Sequence, residues 1–148
     1  MQQLLEKIRS IASEWGEVLE PPATDIEVIE LVGTVRSLFS IELPKEFLSF
    51  LKLVNGLEFN GLIIYGTKNS ETDLNGSSLD IVEMNEVFRE SLRSDELDVI
   101  IVGEDSSGIL VYESSSDKFQ FRDRIGIDRV DSFSSFEDML NIEIEKVI

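Results

Sequence analysis

Histidine and cysteine are both absent from this chain. Without histidine, no side chain changes charge near neutral pH at its unperturbed pKa, and every triad built on an imidazole base is excluded. Without cysteine there is no thiol nucleophile, no disulfide and no ordinary structural zinc site. Any catalysis would fall to carboxylates, lysine, tyrosine or a hard metal ion. Neither a P-loop nor a glycine-rich dinucleotide fingerprint occurs. Basic charge is scarce too: 13 Lys and Arg stand against 30 Asp and Glu, a formal charge of −17. Such a surface repels phosphate backbones, so direct nucleic-acid binding is disfavoured. No apolar run approaches the ~18 residues of a membrane span. The opening MQQLLEKIRS is too often interrupted by charge for a signal-peptide core. The expected home is the cytoplasm, away from membranes.

What the chain does have is a core. Its 148 residues are 42% hydrophobic and include nine Phe. That is enough for one domain over residues 1–148, burying ~70% of the surface of the unfolded chain. The pattern centres on Leu43–Gly66, LPKEFLSFLKLVNGLEFNGLIIYG. Pro44 suits the first helical position, and Phe47, Leu48, Phe50, Leu51 and Val54 make a broad apolar face. Asn55-Gly56 supplies the left-handed stop, and an apolar strand follows, closed by Tyr65-Gly66.

Two helices are expected before this stretch. Residues 3–19 carry Leu4, Leu5, Ile8, Ile11, Ala12, Trp15, Val18 and Leu19 at helical spacing, ended by Pro21-Pro22. Thr24 and Glu27 form a capping box for a second helix bearing Ile26, Ile29, Leu31, Val32 and Val35. Beyond Gly66, a polar loop leads to a helix capped by Ser77 and Asp80 and carrying Ile81, Val82, Met84, Val87, Phe88 and Leu92. Val99–Val102 reads as a strand covered on both faces. Strands at Ile109–Glu113, Lys118–Arg122 and Ile125–Val130 follow. Phe119 and Phe121 share one strand face. Ser134 and Glu137 cap a last helix with Phe133, Phe136, Met139, Leu140, Ile144 and Val147. The fold class is therefore α+β, with helices packed on a mainly antiparallel, twisted sheet.

Catalytic and metal motifs dissolve on inspection. Glu71, Asp73, Asn75 and Gly76 resemble the start of a calcium loop, but Val82 stands where the closing bidentate Glu belongs. Ser49 with Lys52, and Ser115 with Lys118, have Ser-x-x-Lys spacing without the companion motifs of an acylating enzyme. Neither cofactor nor metal is expected. The basic cluster Lys118, Arg122, Arg124 and Arg129 is interrupted by Asp123 and Asp128. Two acidic runs remain. Glu14, Glu17, Glu20, Asp25, Glu27 and Glu30 read as a solvated helix face. Asp95, Glu96, Asp98, Glu104, Asp105, Glu113 and Asp117 fall on strand ends and turns, where binding often sits. Glu104 and Asp105 are the preferred partner-facing pair, with Asp98 and Asp73 beside them. Acidity that serves only solubility is the competing reading.

Taken together, Leu43-Pro44, Phe47-Leu48, Asn55-Gly56, Tyr65-Gly66, Val102-Gly103-Glu104-Asp105 with Gly108, and the pair Phe133 and Phe136 resemble the SUKH superfamily, the Smi/Knr-like proteins. That resemblance implies a SUKH-like fold and a binding protein without catalytic residues. Many bacterial members look like immunity proteins that neutralise a polymorphic or contact-dependent toxin domain, often a nuclease. The implied partner is a basic RNase or DNase domain, met by electrostatic and steric blocking. A regulatory interaction module is the alternative, and a carboxylate-dependent metal enzyme the third reading.

Overall fold

A computed structural model describes residues 1–16, 19–67, 80–91, 97–123 and 130–148. The elements run α1 (Gln2–Glu14), α2 (Asp25–Phe39), α3 (Lys45–Leu51), β1 (Leu57–Phe59), β2 (Leu62–Ile64), α4 (Ile81–Ser91), β3 (Val99–Glu104), β4 (Gly108–Glu113), β5 (Lys118–Asp123), β6 (Val130–Phe133) and α5 (Phe136–Val147). All six strands lie in one sheet in chain order, each antiparallel to the next. The α+β class read from the sequence is the observed one.

The Thr24–Glu27 capping box forms, with the Thr24 side chain accepting from the Glu27 N–H at 3.1 Å and the Glu27 carboxylate from the Thr24 N–H at 3.0 Å. Behind it, Val28, Leu31, Val35 and Phe39 enter the core, whereas Ile26 and Ile29 stay on the solvent side. The first helix is shorter than expected. It ends at Glu14, ahead of the proline pair, and Trp15 stacks on Phe59 of β1 with ring centroids 5.8 Å apart. The proline segment is instead tied to the end of α3: the Ala23 N–H reaches the Leu51 carbonyl at 2.8 Å, and the Asn55 N–H reaches the Pro21 carbonyl at 3.0 Å. Pro44 has φ −66° and ψ 142°, so it precedes α3 as an extended cap and the helix begins at Lys45. Gly56 is left-handed, at φ +89°, but it lies beyond a helix that has already closed at Leu51.

The largest local difference is at residues 57–64. A single apolar strand was expected, and a hairpin is present: Leu57 pairs with Ile64 and Phe59 with Leu62. Asn60 and Gly61 both have positive φ, +50° and +86°, the left-handed pair that a two-residue type I′ turn requires. β2 then pairs with the far end of β3. A Cβ on Gly103 would lie 2.4 Å from the Ile63 carbonyl oxygen, so only glycine lets the two backbones approach this closely.

β3 is buried on both faces from Val99 to Gly103, as its continuous apolar run predicts. α4 lies against β3, and α5 against β2, β5 and β6. Asp80 starts α4 by accepting the Val82 N–H at 2.7 Å; Ser77 and Leu92 lie outside the described residues. So do residues 125–129 of the expected fourth strand, and β6 begins at Val130. The cap of α5 is Ser135, which accepts from the Asp138 N–H at 3.0 Å; Ser134 and Phe133 precede the helix, and Phe133 ends β6. Phe136 anchors α5 among Phe47, Phe50 and Phe119, at centroid distances of 5.4, 5.1 and 5.4 Å. Both Phe119 and Phe121 turn toward α5, since the Lys146 ammonium sits 4.3 Å over the Phe121 ring.

Candidate functional site

The turn from β3 to β4 is built by its own aspartate. One Asp105 oxygen accepts the Ser107 N–H at 2.7 Å, the Ser107 hydroxyl at 3.0 Å and the Gly108 N–H at 2.8 Å. An aspartate reaching two and three residues ahead does what a backbone carbonyl does in a β-turn. Its second oxygen points to α5, 3.8 Å from the Lys146 ammonium, which also holds Glu143 at 2.8 Å. Glu143 and Asp105 thus share the Lys146 ammonium, and the second Glu143 oxygen is buried without a hydrogen-bond partner among the described residues.

The electrostatics of these three groups are set by burial. Glu143 is 0% exposed. Desolvation, reinforced by the neighbouring Asp105 carboxylate, pushes its pKa up to about 7 against the opposing pull of Lys146. For Asp105, burial works to raise the pKa, but the neighbouring Glu143 carboxyl and the bonds from Ser107 and Gly108 together outweigh it and the net shift is downward. A carboxyl group near neutrality is the kind a general acid or base needs. Glu143, however, presents no surface on which a substrate atom could approach it. The cluster is an internal clasp between a sheet turn and the last helix.

This placement corrects the expectation that Glu104 and Asp105 project together from a hairpin tip. Asp105 is 6% exposed, and Glu104 accepts the Tyr65 hydroxyl at 3.2 Å. The carbonyl of Asp98 takes the Ser114 N–H and hydroxyl, at 2.9 and 3.0 Å, and its side chain takes the Ser115 hydroxyl. Asp73 lies outside the described residues, as do the rest of the calcium-like stretch and the pair Asp95 and Glu96. Glu113 meets Arg122 at 3.6 Å, and Asp117 accepts the Tyr112 hydroxyl at 2.7 Å. Burial, with help from Asp117, pushes the Tyr112 pKa up to about 12. Each described acid of the second run is therefore engaged in building turns and strands. Of the two Ser-x-x-Lys pairs, Ser115 bonds Asp98 and Lys52 meets Asp25 at 3.7 Å. Of the basic cluster, Arg124 and Arg129 lie outside the described residues.

The first acidic run is more exposed, although Glu27 closes the α2 capping box and Asp25 meets Lys52. Glu14, Asp25 and Glu30 are exposed. On α2, Asp25 and Glu30 accompany the two most exposed large apolar side chains of the described residues, Ile26 at 69% and Ile29 at 70%. An open depression of about 470 Å³ follows on the same helix, lined by Glu30, Gly33, Thr34, Ser37 and Leu38. Nothing lies within 4 Å of the position a Gly33 Cβ would take. Glycine inside a helix costs about 1 kcal/mol relative to alanine, and no neighbour among the described residues requires it.

Sequence reasoning missed Glu143, Lys146 and Gly33. Glu143 carried a signal, since it interrupts the apolar stripe of α5 between Leu140 and Ile144. Among the described residues, no group of three or more Asp and Glu could hold a metal ion, and no helix is long and apolar enough to cross a membrane. No protein-family model matches this chain, and no curated protein does.

Proposed function

We propose that this chain is a SUKH-type immunity protein, a cytoplasmic non-enzymatic binder that neutralises a basic toxin domain with RNase or DNase activity. The observation that carries this reading is the charge of −17. A nuclease is basic where it meets its substrate, and an acidic protein is drawn to that surface and competes with the nucleic acid for it. Two further points support it. The polar chemistry of the β3–β4 turn is consumed inside the fold, leaving recognition to surface acids and exposed apolar side chains. The residues that carry the family resemblance also meet one another in space: the Asn55 amide bonds both the N–H and the hydroxyl of Thr67, each at 2.9 Å, and so ties Asn55-Gly56 to Tyr65-Gly66.

The test is co-expression with a toxin domain sought in the neighbouring gene, and a neighbourhood that encodes none would itself count against the reading. Restored growth is expected, along with a complex whose dissociation constant rises steeply between 50 and 300 mM salt, on the order of tenfold or more. Absence of both rescue and binding would overturn the reading.

A further inference from the structure

We propose that the outer face of α2, centred on Gly33, is the surface that docks the basic partner; this rests on the function proposed above. Ile26, Ile29, Gly33 and Ser37 recur at intervals of three and four along one side of the helix. Leu38, 55% exposed, closes the far end of the depression. The exposed Ile26 and Ile29 thus stand beside an open depression that the missing side chain of Gly33 helps to form, with Glu30, Thr34, Ser37 and Leu38 as its other walls. Scattered exposed apolar residues are ordinary. Here, three of the largest share one helix with a glycine that no neighbour among the described residues requires.

Charge decides the occupant. Glu30 lines the depression and is exposed, while Asp25 at the start of the helix already meets Lys52 at 3.7 Å. The only base of α2, Arg36, is neutralised by Glu42, with one contact at 2.8 Å. A second copy of this chain would bring another −17 against the first, so self-association through α2 works against electrostatic repulsion. A basic protein surface is attracted instead. It fits when an apolar side chain enters the depression at Gly33 and a neighbouring Lys or Arg reaches Glu30.

The experiment measures binding of a toxin domain from the neighbouring gene, catalytically inactivated, to the full chain and to three variants. Gly33→Ala should melt about 3 °C higher, because the glycine is a cost to the helix. Gly33→Leu fills the depression and Ile29→Asp removes the exposed apolar side chain beside it; each should melt within about 2 °C of wild type and bind at least tenfold more weakly. Wild-type binding that survives Gly33→Leu and Ile29→Asp unchanged overturns the docking site and leaves the proposed function standing. No binding by wild type at low salt defeats that function and the site with it. A wild-type dimer in sedimentation that Ile29→Asp dissociates would replace the basic partner with a second copy, and so also overturns the proposal.

Discussion

The carboxyl groups of Glu143 on α5 and Asp105 on the β3–β4 turn share the Lys146 ammonium, at 2.8 and 3.8 Å, and burial beside a second carboxyl group disfavours ionising both. Asp105 already accepts three bonds from the turn, which favour its ionised form, so Glu143 is the one that holds a proton. Lys146 then balances the remaining charge from its position over Phe121.

Stability should therefore depend on pH through this pair. Glu143 titrates near 4.5 ordinarily and near 7 in the fold. Between those values the folded state holds a proton that the unfolded state has released, so stability falls as pH rises through that window. The lowered pKa of Asp105 acts at the other end: its contribution is present above 3.8 and is lost as pH falls below it. Glu143→Gln keeps an acceptor for Lys146 but cannot ionise. In urea titrations from pH 5 to 8, its stability relative to wild type should improve with pH, by on the order of 1–3 kcal/mol. A difference that stays flat over that range would show that Glu143 does not titrate there.

Asp105→Ala tests the turn itself. It removes the acceptor of the Ser107 N–H and of the buried Gly108 N–H and leaves Glu143 and Lys146 without their third member. The expected loss is about 2–4 kcal/mol by chemical denaturation. Glu104→Gln, which can still accept the Tyr65 hydroxyl, should stay within about 1 kcal/mol. Equal effects of the two substitutions would contradict the division of labour between these adjacent acids.

Most of the architecture was legible because its signals are local. Capping at Thr24 and Glu27, the buried run at Val99–Val102 and the strand turns all follow from short-range chemistry. The hairpin at 57–64 was legible too, in a second Asn-Gly at residues 60–61, but the unbroken apolar run around it hid the turn. The candidate site was the least legible part. Asp105 and Glu143 are 38 positions apart, and only tertiary packing turns a surface-like Asp into a buried one. Hydrophobicity misled in the other direction at Ile26 and Ile29. Helical periodicity says that a residue recurs on a face, and for a helix with apolar residues on several sides it does not say which face is covered.

The last prediction concerns Asn85, a fully buried amide on α4 that sequence periodicity passed over. β2 pairs with β3 only at Gly103 and Glu104, so Ile101 has no strand neighbour on that side. Asn85 takes the place of one: its oxygen accepts the Ile101 N–H at 2.8 Å, and its nitrogen donates to the carbonyls of Ile101 and Ile81, both at 2.8 Å. Asn85→Ala leaves both Ile101 groups buried without partners and opens a cavity beside them. The expected destabilisation is about 3 kcal/mol, read from denaturant midpoints at constant m-value. Asn85→Asp keeps the shape but loses the amide donors and places a charge in the core. Its stability should recover as pH is lowered and the carboxyl group, once protonated, donates to one of the two carbonyls. A loss below 1 kcal/mol for Asn85→Ala would mean that water or a shifted β2 satisfies Ile101 equally well, and α4 would then be held to the sheet by apolar contact alone.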